Sequence, residues 1–458
     1  MIDVRKKNDM ILYDKNIYKS IIILALPIFL SNFLKSFHSF VDLFFVSPIG
    51  DSAIASITVT SPIMSIAYAL GSGFMIAGIT IMSQSVGARN LNKARKTASQ
   101  LLIVSLIAAL VITVGLYFLT PTVVRMVGAE GDTYTYAVSY VQTRSFELVP
   151  VFLFYTFLAT RQASGDTVTP VIFDITGIIL NILLSWLFID VYDMGVFGAA
   201  LGTVIGNSLI VPVFLFLLFR KNDNEIKIDL KKLRFSSYEI KKIFRIGTPA
   251  AISQAFTSLG FLIINMYVLS YGDATISGFG IGNNINSFVL MPVMGISGSL
   301  TIFVGHNIGA GNEKRARDSV RCAMIIAQII MIICACILLP LRSLLASIFL
   351  VKGSPSFNVA TKYMIFLFAG LPLMGFFLMF MGAYQGAGYT KLSLILATLR
   401  LWGIRIPLIL ILKNVLSLGS TSIMAAMVIS NALAVVVGYF LYKRIHFDRI
   451  IDNEMEEI

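Results

Sequence analysis

The sequence predicts an all-α, polytopic membrane protein of twelve transmembrane helices in two six-helix bundles related by a pseudo-twofold axis. Three observations carry this. Of 458 residues, 57% are hydrophobic and only 13% charged, and mean hydropathy is +0.84, whereas soluble domains are nearer a quarter charged. Long apolar runs recur along the whole chain. The first half is also written a second time about 222 residues later.

The apolar runs cover residues 17–46, 53–82, 101–119, 137–159, 168–189 and 195–219, then 243–269, 275–304, 320–339, 363–384, 392–412 and 422–442. Each is close to or beyond the roughly 20 residues a helix needs to cross a bilayer. The net charge of +12 reports topology rather than nucleic acid. With the N-terminus inside, 27 of the 36 Lys and Arg fall in inside segments and 6 outside, while Lys35, Arg400 and Arg405 lie within spans. This positive-inside asymmetry puts both termini in the cytoplasm, in the plasma membrane. The first run contains Pro27 and leads into Val46-Ser47-Pro48, not a small-residue cleavage site, so it is expected to stay as a helix. Cys322, Cys334 and Cys336 share one apolar run without ligand or disulfide spacing and read as packing residues.

The repeat is gapless at first. Pro27 falls on Pro249, Gly50-Asp51 on Gly272-Asp273, Gly73 on Gly295, Arg95 on Arg317, and the turn Gly87-Ala88-Arg89-Asn90 on Gly309-Ala310-Gly311-Asn312. Pro150 matches Pro372; Gly165 matches Gly388 after one single-residue shift, and Asn207 matches Asn431 after a second. Six helices return the chain to its starting side, so the copies are parallel and the axis lies along the membrane normal. The expected division is an N-terminal bundle over 1–220, a polar cytoplasmic linker over 221–242 and a C-terminal bundle over 243–458. A duplicated bundle with prolines inside its spans fits a secondary transporter, whose kinked helices can serve as hinges. A passive channel is the alternative.

Ionisable groups inside spans cost roughly 2.5–3.5 kcal/mol on insertion scales and mark function by default. Helix 1 carries Lys35, His38 and Asp42, which helical periodicity puts on one face; that face meets either a cavity or an internal charge partner. Helix 5 aligns Asp174, Asn181 and Ser185, with Asp174 expected near the cytoplasmic interface. Glu147 reads as a local pair with Arg144, and Arg400 as a side chain snorkelling to the interface, with Arg405 fitting that reading less well. The second half offers amides instead of acids, Gln254, Asn265, Asn283, Asn284 and Asn286, as a substrate wall. His38, His306 and His446 lack metal-ligand spacing, and no phosphate-binding loop is present, so no metal, no cofactor and no enzymatic activity is expected.

These residues resemble the multidrug and toxic compound extrusion (MATE) family of the flippase superfamily, and the likeness runs over essentially the whole chain. Its carriers are Ala25-Leu26-Pro27, Val41-Asp42 with Gly50, Gly87-Ala88-Arg89-Asn90, Gly165-Asp166, Thr169-Pro170, Asn181-Ile182 and Gly198-Ala199-Ala200 with Thr203. The resemblance implies a monomeric antiporter that exports small organic compounds through a cleft between the bundles in exchange for a proton or sodium ion. It implies a coupling site at Asp42, Asn181, Ser185 and Thr203, and a bend of helix 1 at Pro27. Ser185 stands where the family commonly has an acid, and helices 7 and 10 lack the acids of the sodium site found in one branch. The expectation is therefore coupling in the first half, by protons, with sodium the alternative. Lys35 and His38 beside Asp42 leave an anionic or zwitterionic substrate open, and a lipid-linked precursor flippase is the other reading within the superfamily.

Overall fold

The computed structural model describes residues 4–220, 226–228, 235–415 and 419–450; the side chains of residues 4–6 and 37–43 fall outside the description, and with them those of His38 and Asp42. Among the described residues all regular structure is helical, with no strand. A short α1 (Val4–Tyr13) precedes the first bundle, α2 (Ile17–Val46), α3 (Asp51–Gly87), α4 (Leu91–Met126), α5 (Gly131–Ser145), α6 (Leu148–Ala163), α7 (Val168–Trp186), α8 (Gly195–Leu209) and α9 (Val211–Phe219). The second comprises α10 (Ser237–Leu269), α11 (Asp273–Gly309), α12 (Glu313–Phe349), α13 (Pro355–Ala369), α14 (Leu371–Gly386), α15 (Thr390–Thr398), α16 (Ile406–Asn414) and α17 (Thr421–Lys443). A π-helical segment, Leu187–Val191, ends α7, and another, Leu399–Arg405, joins α15 to α16.

Ten helical stretches among the described residues are long and apolar enough to cross a membrane. An eleventh span is the pair α13 and α14, bent by 51°. The counterpart of that pair in the repeat is α5 with α6, of which α6 is apolar but too short to span alone. The apolar exteriors suit lipid: Ile329, Ile332, Ile333 and Ile337 on α12 and Ile107, Val111 and Phe118 on α4 all point outward.

The repeat is visible in local chemistry. Gly50 (φ 128°) and Gly272 (φ 94°) turn the chain in the left-handed region, and Asp51 and Asp273 then open α3 and α11 where a helix N-terminus favours an acid. Asn90 and Asn312 cap α4 and α12 by accepting from the backbone N–H groups of Lys93 and Arg315 at 3.0 and 3.1 Å. The halves also cross symmetrically. A Cβ on Gly73 would sit 2.5 Å from the Gly247 carbonyl, and one on Gly295 would sit 2.8 Å from the Ala25 carbonyl. Further along the same helices, Gly87 lies against the His306 carbonyl and Gly309 against that of Gln84, so closely that a Cβ would come within 2.0 and 1.9 Å. Small residues let helix backbones meet in a membrane, and here they shut one end of the interface between the bundles. Thr80 Oγ1 donates to Gln385 O across the halves at 2.8 Å, and Gln84 Oε1 accepts from Ile450 N at 3.0 Å, binding the C-terminal segment over the closure.

Candidate functional site

Each bundle encloses a polar cavity. That of the first half, about 300 Å³, is lined by Lys35, Tyr68, Arg144, Glu147, Asp174 and Asn207 among apolar neighbours. Glu147 sits at the break between α5 and α6, 4% exposed. Its Oε2 accepts from Arg144 Nε at 2.8 Å and Tyr68 Oη at 3.0 Å, and its Oε1 from Asn207 Nδ2 at 2.9 Å. Arg144 Nη1 and Nη2 donate to Tyr140 Oη at 2.7 Å and Tyr68 Oη at 3.1 Å. The local pair read from sequence exists, but it belongs to a four-helix network that forms part of a cavity wall. Sequence spacing showed only the pair, since Tyr68 and Asn207 come from α3 and α8. Asp174 accepts from Ser31 Oγ of α2 and also faces this cavity. Asp174 is half-buried on that wall, where α2 packs over α7 and supplies the hydroxyl partner.

Deeper on α7, three of the four expected coupling residues come together. Asn181 Nδ2 donates to Thr203 Oγ1 at 3.0 Å, and Ser185 lies one turn beyond Asn181. Gly198, Gly202 and Gly206 recur every fourth residue of α8 and let it lie against this face: a Cβ on Gly202 would meet Ser185 Oγ at 3.3 Å, and one on Gly206 the Asn181 nitrogen at 3.3 Å. Asn181 Oδ1 and Ser185 Oγ are buried without a hydrogen-bond partner among the described residues. Two orphaned oxygens in a membrane interior demand a proton donor, a water or a cation. The fourth residue, Asp42, and its neighbour His38 have side chains outside the description; their helix, α2, packs against both α7 and α8. Lys35 is exposed and lines the larger cavity. Pro27 lies inside α2, which runs unbroken through it.

The cavity of the second half is smaller, about 90 Å³, and is lined by Asn265, Asn283, Asn286, Tyr363, Arg400, Arg405 and Asn431 with apolar neighbours. Three of the five expected amides are thus brought together; Gln254 and Asn284 are exposed and do not line it. Tyr363 Oη donates to Asn283 Oδ1 at 2.8 Å while its ring stacks on Phe279 at 3.9 Å. Arg400 and Arg405 do not snorkel to an interface: they are 4% and 3% exposed and point into the bundle. Arg405 donates through Nε to Ser430 Oγ at 2.8 Å and through Nη2 to Asn431 Oδ1 at 2.6 Å. Arg400 Nη1 reaches the same Asn431 oxygen at 3.4 Å and Met374 Sδ at 3.1 Å, and its guanidinium lies 4.0 Å over the Phe377 ring.

The sequence profile of the MatE family matches residues 27–187 and 249–411, two segments that begin 222 residues apart and end 224 apart. The chain is 24% identical over 456 residues to the Multidrug export protein MepA of Staphylococcus haemolyticus, a match covering 98% of this chain and 100% of that protein. Among solved structures, an outward-facing multidrug resistance MATE family transporter superposes with a TM-score of 0.89 at 22% identity, covering 97% of each chain. A MATE transporter in complex with MaL6 superposes with a TM-score of 0.90 at 23% identity, covering 96% of this chain and 98% of that one. At such identities the superpositions establish the fold, and the profile matches in both halves establish the family. This chain belongs to the MatE family, the MATE transporters, and is a multi-pass membrane transporter rather than an enzyme.

Proposed function

We infer that this protein exports organic compounds from the cell across the plasma membrane in exchange for inward protons, with residues 1–220 and 243–458 moving as two bundles joined through residues 221–242, of which Ser237 onward is already part of α10. The observation that carries the coupling is the orphaned oxygen pair Asn181 Oδ1 and Ser185 Oγ beside Thr203, on a helix that packs against the helix bearing Asp42. Acidic groups facing a cavity, Glu147 and Asp174, occur in this half, whereas the cavity of the other half has none. Its relatives named for multidrug export support the substrate class. The tight closure at Gly87 and Gly309 supports a state shut at the side that the charge asymmetry assigns to the cytoplasm.

Asp42 takes up a proton unaided, whereas sodium requires several oxygen ligands, and Ser185 contributes a hydroxyl where a carboxylate would serve sodium better. Efflux of a fluorescent cationic dye and of a fluorescent carboxylate dye from proteoliposomes, under separately imposed proton and sodium gradients, tests this reading. A proton gradient is expected to drive efflux, and Asp42→Asn to abolish it with expression unchanged. Sodium-driven efflux at equal pH on both sides, without response to protons, would overturn the proton assignment. Pro27 is the proposed hinge of α2. Pro27→Ala restores a helical hydrogen bond that opposes bending, so turnover should fall more than dye affinity; unchanged turnover would remove the hinge.

A further inference from the structure

We propose that the small cavity of the second half is an anion site, in which Arg400 and Arg405 together hold one compact anionic group, a carboxylate or a halide. In an α-helix, residues five apart are rotated by about 140° and point to different sides. The segment Leu399–Arg405 is π-helical, with the hydrogen-bond register widened to five residues, so both guanidiniums come to one face and meet at Asn431 Oδ1.

Charge is then unbalanced. A guanidinium stays protonated and can only donate, and the groups that surround these two are all neutral: Ser430, Asn431, Met374 and the Phe377 ring. No carboxylate lines the cavity, and neither arginine forms an ion pair among the described residues. Arg400 Nε is buried with no hydrogen-bond partner among them. Burying an ion costs several kcal/mol even after relaxation, and two like charges side by side add to that cost unless a counter-charge joins them. In the first half a counter-charge is built in, since Arg144 has Glu147.

Size restricts the ligand. About 90 Å³ accommodates one halide or one carboxylate group. It is well below the roughly 300–1,000 Å³ of sites that enclose a whole drug-sized molecule. An organic ligand would therefore insert its acidic group and leave the remainder outside. The ligand atoms would face the unpaired Arg400 Nε, and Tyr363 and the amides of Asn265 and Asn283 are the neighbouring polar groups on the cavity wall.

Equilibrium dialysis of the full-length protein in detergent, with radiolabelled acetate and with bromide as separate probes, tests this without any gradient, so its outcome is independent of the proposed exchange. Ionic strength is matched between the samples of unsubstituted and variant protein at each probe concentration. Saturable binding near one equivalent per chain is expected, weakened at least tenfold in Arg400→Gln. Asn431→Asp, which places a carboxylate between the two arginines, should also abolish binding, and it serves if the arginine variant does not fold. Mutual displacement of acetate and bromide would identify a site open to organic carboxylates; saturable bromide that acetate does not displace would identify an inorganic halide site. Binding that never saturates, or that is unchanged in both variants, would overturn the proposal.

Discussion

Asn207 and Asn431 occupy corresponding places in the two halves, and their amides are turned in opposite senses. Asn207 donates to the carboxylate of Glu147 at 2.9 Å, whereas Asn431 accepts from the guanidinium of Arg405 at 2.6 Å. The orientation follows from the partners, because an ionised carboxylate can only accept and a guanidinium can only donate. The inversion extends to neighbouring positions. Three residues before the paired Pro150 and Pro372 stand Glu147 and Ala369, and at the 224-residue offset that relates the asparagines, Asn181 corresponds to Arg405. Duplication thus supplied one scaffold twice, while substitution made one half acidic and cationic together and left the other with unbalanced cations. The proposed proton site and the proposed anion site would thus use one backbone twice.

The sharpest way to break this contrast is to remove the counter-charge where it exists. Glu147→Ala leaves Arg144 buried without a carboxylate, and losing one partner of a buried pair costs about 3–5 kcal/mol. Thermal unfolding in detergent should show this as a large fall in Tm; a neutral result would mean that Arg144 finds water and that the first half is no better compensated than the second.

A paired substitution sharpens it next. Asn431→Asp gives the two arginines a carboxylate and should raise the Tm, by the equivalent of about 2 kcal/mol if the new bonds are worth what hydrogen bonds to charged groups usually are. Asn207→Asp puts a second carboxylate against Glu147 and should lower it by a similar amount at neutral pH. Shifts of the same sign in both variants would contradict the charge inversion.

Where the halves agree, they should respond alike. Gly87→Ala and Gly309→Ala each force a methyl group onto a backbone carbonyl at the shared crossing, and overpacking of this kind costs about 1–3 kcal/mol. Both should favour opening at that end, detected as faster labelling of a cysteine introduced at Thr80, with the native cysteines replaced by serine. Opening in one variant alone would show that the closure is not symmetric.

The smallest expected effect lies at Asp166, outside the spans, where Lys7 of α1 reaches the first bundle. Burial raises the Asp166 carboxyl, but hydrogen bonds from Thr169 and the Lys7 ammonium at 3.0 Å outweigh it and hold the group below its usual 3.8. A depressed carboxylate contributes stability above that value and loses it as pH falls through the lower folded value. Asp166→Asn should therefore cost about 1.5 kcal/mol at neutral pH, the lower end for a hydrogen bond to a charged group. The difference from the unsubstituted protein should vanish at pH values below 3.8, as followed by Tm against pH.

Much of this molecule was legible in one dimension because a bilayer imposes long apolar runs and a duplication imposes a register. The helical class, the membrane spans and the matched glycines at 50 and 272, 73 and 295, and 87 and 309 follow from those two constraints alone. Asn181, Ser185 and Thr203 could be singled out through resemblance, and Gly202 and Gly206 explain why their helices lie close enough for them to meet. Other features depend on distances between helices far apart in the chain. Glu147 looked like half of a local pair until Tyr68 and Asn207 arrived from α3 and α8. Arg400 looked like an interface anchor, and Arg405 less so, because both stand near the start of their apolar run. Only the π-helical register between α15 and α16, with Asn431 brought in by α17, turns both into one buried cavity, since the direction of a side chain depends on the local winding of its helix and its cost on what packs around it.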